Sequence, residues 1–530
     1  MKKQIHKTSQ WFAVILALML CGASGRLFAA RPVARWDVIP DQRVSGVFKA
    51  GVCAFHEDGV RVEFSVNGKK AYTAAAPSHN DRTGVWEYVF PLNTAGYADG
   101  EVTLGAVAVT LGAKAESYAL PDLHLYANGH GSLSVKEVVW VDAQNGKDTA
   151  AGSQRAPLRT LQAAMKKVPV GGTVNLLPGI YPLGGLGGKD RKFWTTIQAA
   201  PGVKRESVQL SAGRPGANRL HFKGVTLFCD AEGGYAPIIS GENGATCCWL
   251  DDCVTMNKKG RWAANGRVFG NRMVGYVTGG ITTELDDGPG CTLQRNHTVK
   301  KISSDVWTGS DCLVVNCTSE DVDPGKTGSH PDFHQSHAVD PGWVHDVILY
   351  NVSGYNCKSQ GLFGVRLRDS AFVNIVFERH PDTTFYSQYS GPMENVIFAH
   401  ITLINQTWLW REGYAPTDVR VFNNVFSSMG GYKTFDGTDG LFVSHNAFYA
   451  TDRKGKPTGD YGLECVHVER SFVDEAARNY HLASGSAALT AGRPLQCVPA
   501  DIDGKLYPAG ARPCGAYAPL SALSKGTSQK

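Results

Sequence analysis

Charge is scarce in this chain. Only 19% of its 530 residues are Asp, Glu, Lys or Arg, and the net charge is +5. No basic run and no aromatic-basic motif relieves that scarcity, which excludes nucleic acid as a partner. Beyond the first thirty residues no apolar run is long enough to cross a bilayer, so a membrane-spanning protein is excluded as well. Helical periodicity is nearly absent, and with it helical bundles and helical solenoids. The 13 cysteines are odd in number and unevenly spaced, which does not make a disulfide framework.

What the chain has instead is glycine, 60 residues of it, and a recurring phrase: a polar residue or Gly, four mostly apolar positions, then Asn or another polar residue. The phrase runs Asp311 to Asn316, Asp346 to Asn351, Asp369 to Asn374, Asn395 to His400, Asp418 to Asn423 and Gly440 to His445, with fainter copies starting at Asn218, Thr246, Gly266 and Gly290. Starts fall 20 to 28 residues apart, with one interval of 35. A short β-rich repeat of this period is a solenoid whose coils bury their apolar faces by stacking. VILYNV, VIFAHI and VRVFNNV are β-branched and aromatic, so the expected fold is all-β, a parallel β-helix of about ten coils. The recurrent Asn suits a left-handed turn whose side-chain amides bond along the stack.

Around this array the chain divides into four parts. Residues 1–30 carry Lys2, Lys3 and Lys7, the run WFAVILALML and then small residues, the pattern of a secretory signal; the expected location is secreted, periplasmic or cell-surface. Residues 31–132 alternate apolar and polar positions in short runs such as VRVEFSVNG and GEVTLGAVAVT, which predicts a small β-sandwich. That stretch resembles the immunoglobulin and fibronectin type III modules of secreted glycan-active proteins, which implies a spacer or binding accessory. GHGSLS, Gly129 to Ser134, superficially matches the catalytic His motif of polygalacturonases, but the paired-Asp motifs of that family do not precede it, and it reads as a connector. Residues 138–450 form the β-helix, and 451–530 a C-terminal capping segment.

The β-helix opens with VVWVDAQNGKDTAAGSQRAPLRTLQAAMKKVPVGGTVNLLPGIYPL: strand, NGxD turn, Pro before a short amphipathic helix, then GGTVxLxPGxY. This entry closely resembles that of the pectate-lyase-like right-handed parallel β-helix superfamily (the pectin lyase fold). The helix LRTLQAAMKKV is expected to cover the open end of the stack with Leu158, Leu161, Ala164 and Met165. The superfamily holds lyases, hydrolases, epimerases and inert adhesins, so the resemblance implies fold more than reaction. Cys291 and Cys312 fall at the same place in successive coils and read as a core stack, and Cys247, Cys248 and Cys253 as buried thiols. Cys497 and Cys514 flank the cap loop and are the one disulfide pair expected.

One coil is about a dozen residues longer than its neighbours, and the excess surrounds GKTGSHPDFHQSH. Insertions in solenoids bulge from one face, often the binding face. Aligned on the Asn phrase, Phe333 to His337 stacks beside QGLFGVRLRD, then TTFYSQYS, then TWLWREGY, with SSDVWTG in the preceding coil. That register gathers Asp305 and Trp307, His334 and Gln335, Arg366 or Arg368, Tyr386 and Gln388, and Trp410 and Arg411. Aromatic rings stack on sugars and arginines pair with carboxylates or sulfates, so the substrate expected is an acidic or sulfated polysaccharide. Three chemistries fit. In a lyase, Arg366 or Arg411, or calcium on Asp321, Asp323 and Asp332, neutralises a uronate; His330 or His334 is the base and Tyr386 or a histidine the acid. A hydrolase would use two of Asp305, Asp332 and Glu412. A transition-metal site would use His330, Asp332, His334 and His337. Elimination is the reading favoured here, by a monomer with no cofactor beyond calcium; hydrolysis and a non-catalytic glycan-binding surface protein are the alternatives.

Overall fold

The computed structural model of this chain describes residues 30–133, 137–187, 191–211, 219–229, 248–257, 292–295, 298–300, 306–308, 311–323, 331–337, 342–383, 389–410, 416–430, 440–450, 462–470, 472–508, 510 and 512–520. Among the described residues from Val138 to His467 the strands pair in parallel, coil upon coil, in a 21-stranded sheet and a six-stranded sheet; Phe472–Asp474 and Asn479–Leu482 then form an antiparallel pair. The stack is a right-handed parallel β-helix, with a two-sheet β-sandwich ahead of it.

Each repeat phrase is a strand bounded by two left-handed corners. Asp311, Asp346, Asp369, Asn395 and Asp418 at its start, and Asn316, Asn351, Asn374, His400 and Asn423 at its end, all have φ between 49° and 59°. Asp and Asn tolerate that conformation because their short side chains can bond locally. The expected amide ladder is present: Asn351 Nδ2 donates to Asn316 Oδ1 and Asn374 Nδ2 to Asn351 Oδ1, each at 3.0 Å. Where the phrase ends in His400, the ring pairs with Asn423 Nδ2 at 3.0 Å and the ladder continues.

The four positions between the corners form the first wall, and both of its faces are buried. Cys312, Val314, Val347, Leu349, Phe372 and Phe398 point into the coil interior, whereas Leu313, Val315, Ile348, Tyr350, Val373 and Ile397 pack into the sandwich core. A parallel strand covered on both faces reads as an unbroken apolar run, which is why the phrase does not alternate. The sandwich strands do alternate: Val60–Val66 is buried at every second residue against the other sheet. At the amino end, the helix Leu161–Lys167, N-capped by Thr160, buries Leu161, Ala164 and Met165 with Leu158 against the first coil, as its sequence predicts.

The sandwich is more than a spacer. It lies lengthwise on the first wall and is held at the corners, where Arg35 reaches Asp311 at 3.0 Å, Arg31 reaches Asp369 at 2.6 Å and Asp41 holds Arg219 at 2.9 Å, and by Glu57, which holds Arg420 of the wall at 3.1 Å and Arg493 of the C-terminal segment at 2.9 Å. Partly buried ion pairs repay little more than their own desolvation, so the apolar contact stabilises the docking and the pairs fix its register. Tyr350 meets Phe55 edge-on at 5.2 Å within that contact.

The C-terminal segment differs from the end cap expected of it. It runs along the side of the stack, over the Asn corner. Asn374 Nδ2 donates to Ala500 O, Asn423 Nδ2 to Arg493 O, and Tyr507 stacks on His400 with 4.8 Å between ring centres. A ladder of amides under apolar cover needs acceptors for its second N–H groups, and this strap supplies them. Cys497 and Cys514 are both free and buried, and they are not a disulfide: Cys497 Sγ donates to His56 O, Cys514 Sγ to His445 O. Cys253 is a buried thiol, as read from the sequence, and Cys312 lies in the coil interior; Cys291, its expected stack partner, lies outside the described residues, as do Cys247 and the side chain of Cys248. GHGSLS begins as a turn in which Asp99 takes the N–H groups of His130 and Ser132. Among the described residues no helix is long and apolar enough to cross a membrane. The expected signal, residues 1–30, lies outside the described residues apart from Ala30.

Candidate functional site

The six-stranded sheet forms a second wall, and it is made of the segments that the sequence aligns. Trp307–Thr308, Asp332–His337, Gln360–Val365, Tyr389–Ser390, Thr407–Trp410 and Ser428–Gly430 are neighbours in that order. In one row, Thr308 pairs with Gln335, Gln335 with Phe363, Phe363 with Tyr389 and Tyr389 with Leu409. In the next, Ser336 pairs with Gly364, Gly364 with Ser390 and Ser390 with Trp410.

The segments therefore stack in the order expected, but the rungs are others: Gln335 is opposite Phe363, not Arg366 or Arg368, and the facing is different for three of the candidates. Trp307 and His334 are paired across adjacent coils and both are fully buried. The His334 ring lies against Phe372 at 5.0 Å, inside the coil. Burial pushes its pKa down to about 3, against a small opposing effect of the Trp307 backbone. A neutral imidazole out of reach of solvent cannot take a proton from a substrate, and a buried indole cannot stack on one. Asp332 shares the inward parity of His334 and has no exposed surface; its Oδ2 accepts from Gln335 Nε2 at 3.1 Å. His334 as base, Asp332 as acid or ligand and Trp307 as sugar platform are thus corrected: pleat alternation turns all three into the core.

Gln335 is partly buried on the wall. Arg366 follows the strand Gln360–Val365 at a left-handed corner, φ 56°, where its carbonyl accepts from Val344 N. Arg368 lies in register between His345 and Glu394, at the edge facing the sandwich. Asp305, His330, Tyr386, Gln388, Arg411 and Glu412 lie outside the described residues, as do the side chains of His337 and Trp410.

The proposed calcium ligands do not fit that ion. Asp321 accepts from Asn356 Nδ2 at 2.7 Å, forming the next corner ladder, and Asp323 pairs with Lys358 at 3.0 Å. Asp332 is on a different wall and faces inward, so the three carboxylates do not converge. Among the described residues, the acidic clusters tight enough for one ion are Asp311, His345 and Asp346; His56, Glu57 and Asp58; and His481, Asp501 and Asp503. Arginines from across the domain contact engage the first two. Asp501 in the third accepts the N–H groups of Asp503, Lys505 and Ala518. In the first cluster, the His345 hydrogen bond raises its own pKa and, with Arg35 and Arg31, outweighs burial to lower that of Asp346. These are the chemistry of docking.

The sequence reading missed a second place where side chains converge. His79 and Trp86 of the sandwich, Asn316, Thr318, Ser353 and Tyr355 of the β-helix, and Asp503 and Tyr517 of the C-terminal strap line a cleft of about 530 Å³. Its members lie hundreds of residues apart, so no local cluster marks it.

No protein-family model matches this chain, and no curated protein matches it. Solved structures do. A rhamnogalacturonan lyase aligns over 73% of this chain and 97% of its own at 13% identity and TM-score 0.33. A pectate lyase aligns over 73% and 98% at 12% identity and TM-score 0.32. A lacto-N-biosidase from Eubacterium ramulus aligns over 63% and 67% at 11% identity and TM-score 0.32. At such identities and scores none of the three says anything about this chain's reaction.

Proposed function

We propose that this protein is a carbohydrate-active enzyme that cleaves an acidic or sulfated polysaccharide on the second wall, by β-elimination. The observation that carries the reading is the continuous registered strip Thr308, Gln335, Phe363, Tyr389 and Leu409, on the parity opposite to that of His334. Rungs about 4.8 Å apart make such a strip on the order of 15 to 20 Å long, a length suited to several sugar units of a polymer rather than to one small molecule. Arg366 stands at its edge, and Asp305, His330, Tyr386, Gln388 and Arg411 precede or follow its strands closely in sequence.

In this reading Arg366 and Arg411 pair with the uronate carboxylate and draw charge from the carbon that loses its proton. His330 takes over the role of base that His334 cannot fill, and Tyr386 protonates the leaving oxygen. Gln335 and Gln388 position the chain; Trp410, in register with the inward Ser336, has no part in it. No step needs the Asp321, Asp323 and Asp332 carboxylates.

The test is mass spectrometry of products after incubation with pectins, alginates and sulfated glycans. Elimination gives oligosaccharides lighter by one water than their saturated counterparts, and His330→Ala abolishes them while binding persists. Saturated products would transfer the chemistry to a carboxylate pair and refute elimination; binding without any turnover would make the wall a glycan-binding surface.

A further inference from the structure

The cleft at the junction of sandwich, β-helix and C-terminal strap is a second site, separate from the second wall. We propose that it binds a neutral saccharide, held between the rings of Trp86 and Tyr355.

Three features of the cleft argue for a ligand. Its volume, about 530 Å³, falls within the range of built small-molecule sites, about 300 to 1,000 Å³. It is assembled from every part of the fold, and each wall is fixed: the sandwich side by the Arg31 and Arg35 pairs, the strap side by Asn374 and Asn423, which anchor the strap to the corner ladder. The Trp86 indole N–H is buried with no acceptor in the protein, although a buried indole ordinarily finds one.

The chemistry of the lining selects the class. Trp86 meets His79 in a T-shaped contact at 5.7 Å, and both rings line the cleft. Across the cleft, Tyr355 and Tyr517 present further rings, each restrained by a cation or imidazole beside it, Arg478 at 5.4 Å from Tyr355 and His481 at 4.4 Å from Tyr517. The lining also holds Asn316, whose amide Nδ2 donates to Gly84 O at a long 3.4 Å, together with Thr318, Ser353 and Asp503. Rings flanking amides, hydroxyls and a carboxylate are what a pyranose uses: apolar C–H faces on the rings, hydroxyls on the polar groups. The lining contains no Lys or Arg and does contain Asp503, so it offers a uronate or sulfate no cation to pair with, while Arg478 stands behind the Tyr355 ring. The ligand class thus differs from that proposed for the second wall, and the sandwich contributes to binding through this cleft.

The experiment is isothermal titration of the full chain with soluble hexasaccharides of glucose, xylose, mannose and galactose, alongside trigalacturonate. At least one neutral series binds, and Trp86→Ala weakens it about tenfold or more, as loss of a central aromatic anchor does. Thr318→Trp, which fills the cleft from a partly exposed strand position, abolishes that binding while far-UV circular dichroism and the melting midpoint stay as in the parent. Absence of binding across all four neutral series would overturn the site, as would neutral binding that survives both substitutions, or trigalacturonate binding lost on Thr318→Trp. Cleavage assays on the second wall are unaffected by Thr318→Trp, so the two sites fail separately.

Discussion

Substituting Glu57 by Ala tests whether the sandwich and the β-helix are one structural body. The Arg420 side chain has no exposed surface; its Nε donates to Glu57 Oε1 at 3.1 Å, its Nη2 pairs with Asp418, and its Nη1 reaches Asn395 Oδ1 at 3.4 Å. Removing Glu57 leaves that guanidinium in the interior with one carboxylate. Breaking a buried pair costs about 3 to 5 kcal/mol. Asp418 remains, and Arg493, 30% exposed, can turn its freed nitrogen to water, so the lower end applies, about 3 kcal/mol. Glu57→Gln keeps the shape and one acceptor and costs about 1 to 2 kcal/mol. The double variant Glu57→Met, Arg420→Met removes both charges and costs less than Glu57→Ala alone. Urea unfolding at pH 7 measures the series, followed by tryptophan fluorescence, since Trp36, Trp194 and Trp249 belong to the shared core of the contact. A loss below about 1 kcal/mol for Glu57→Ala, or a double variant weaker than the single, would refute a buried, coupled contact.

Other outcomes follow from the same geometry. Asn374→Ala strips the amide that bonds Asn351, Ala500 and Tyr507 and leaves at φ 51° a residue without the short polar side chain that tolerates it, for an expected loss of about 2 to 4 kcal/mol; Asn374→Gly recovers the backbone part, about 1 kcal/mol, in the same urea series. His334 and His400 are buried neutral, each with its pKa pushed down to about 3 chiefly by burial. Unfolded, each takes a proton near pH 6.5, so the unfolded state binds more protons in acid and stability falls by about 2 kcal/mol per residue between pH 7.5 and pH 5. His334→Phe should remove one such share from the acid limb of a stability-versus-pH curve, and an unchanged limb would mean the ring is not where the fold puts it. His345 works in the opposite sense: its raised pKa gives stability that is present in full below about pH 6.5 and is lost as pH rises through the folded-state value. His345→Asn should flatten the alkaline limb.

The fold was legible because its rule is local. Each phrase begins and ends at a corner that only a few residue types accept, and Asp, Asn and Gly there are visible without any knowledge of contacts. The capping helix was legible for the same reason, through the spacing of Leu161, Ala164 and Met165. The candidate site was less so. Alternation tells which residues of a strand share a face, but in a closed coil it does not tell which face is inside, and HPDFHQSH has polar residues at both parities. His, Asp and Trp in a cluster suggest chemistry and so an outward face for His334, Asp332 and Trp307; the packing of His334 on Phe372 is a contact with the phrase that starts at Asp369, which local spacing does not reveal. The docking role of Arg31, Arg35 and Glu57 and the junction cleft depend on residues separated by hundreds of positions, which no spacing argument joins.

The way the sandwich lies on the stack sets a limit on how this protein can change. Solenoids commonly gain and lose whole coils, because each unit touches only its neighbours. Here the sandwich meets the stack from Trp194, whose indole donates to Pro40 O, through Asp311 and Asp369 to Arg420. A rigid bar fixed at both ends and in the middle measures the number of rungs between its fastenings. Inserting or deleting one coil between Thr195 and Phe422 would shift every later fastening by one rung, so this β-helix has a length that its own amino-terminal domain gauges, and variation in length is confined to coils beyond the bar and to loops that leave the rungs in place.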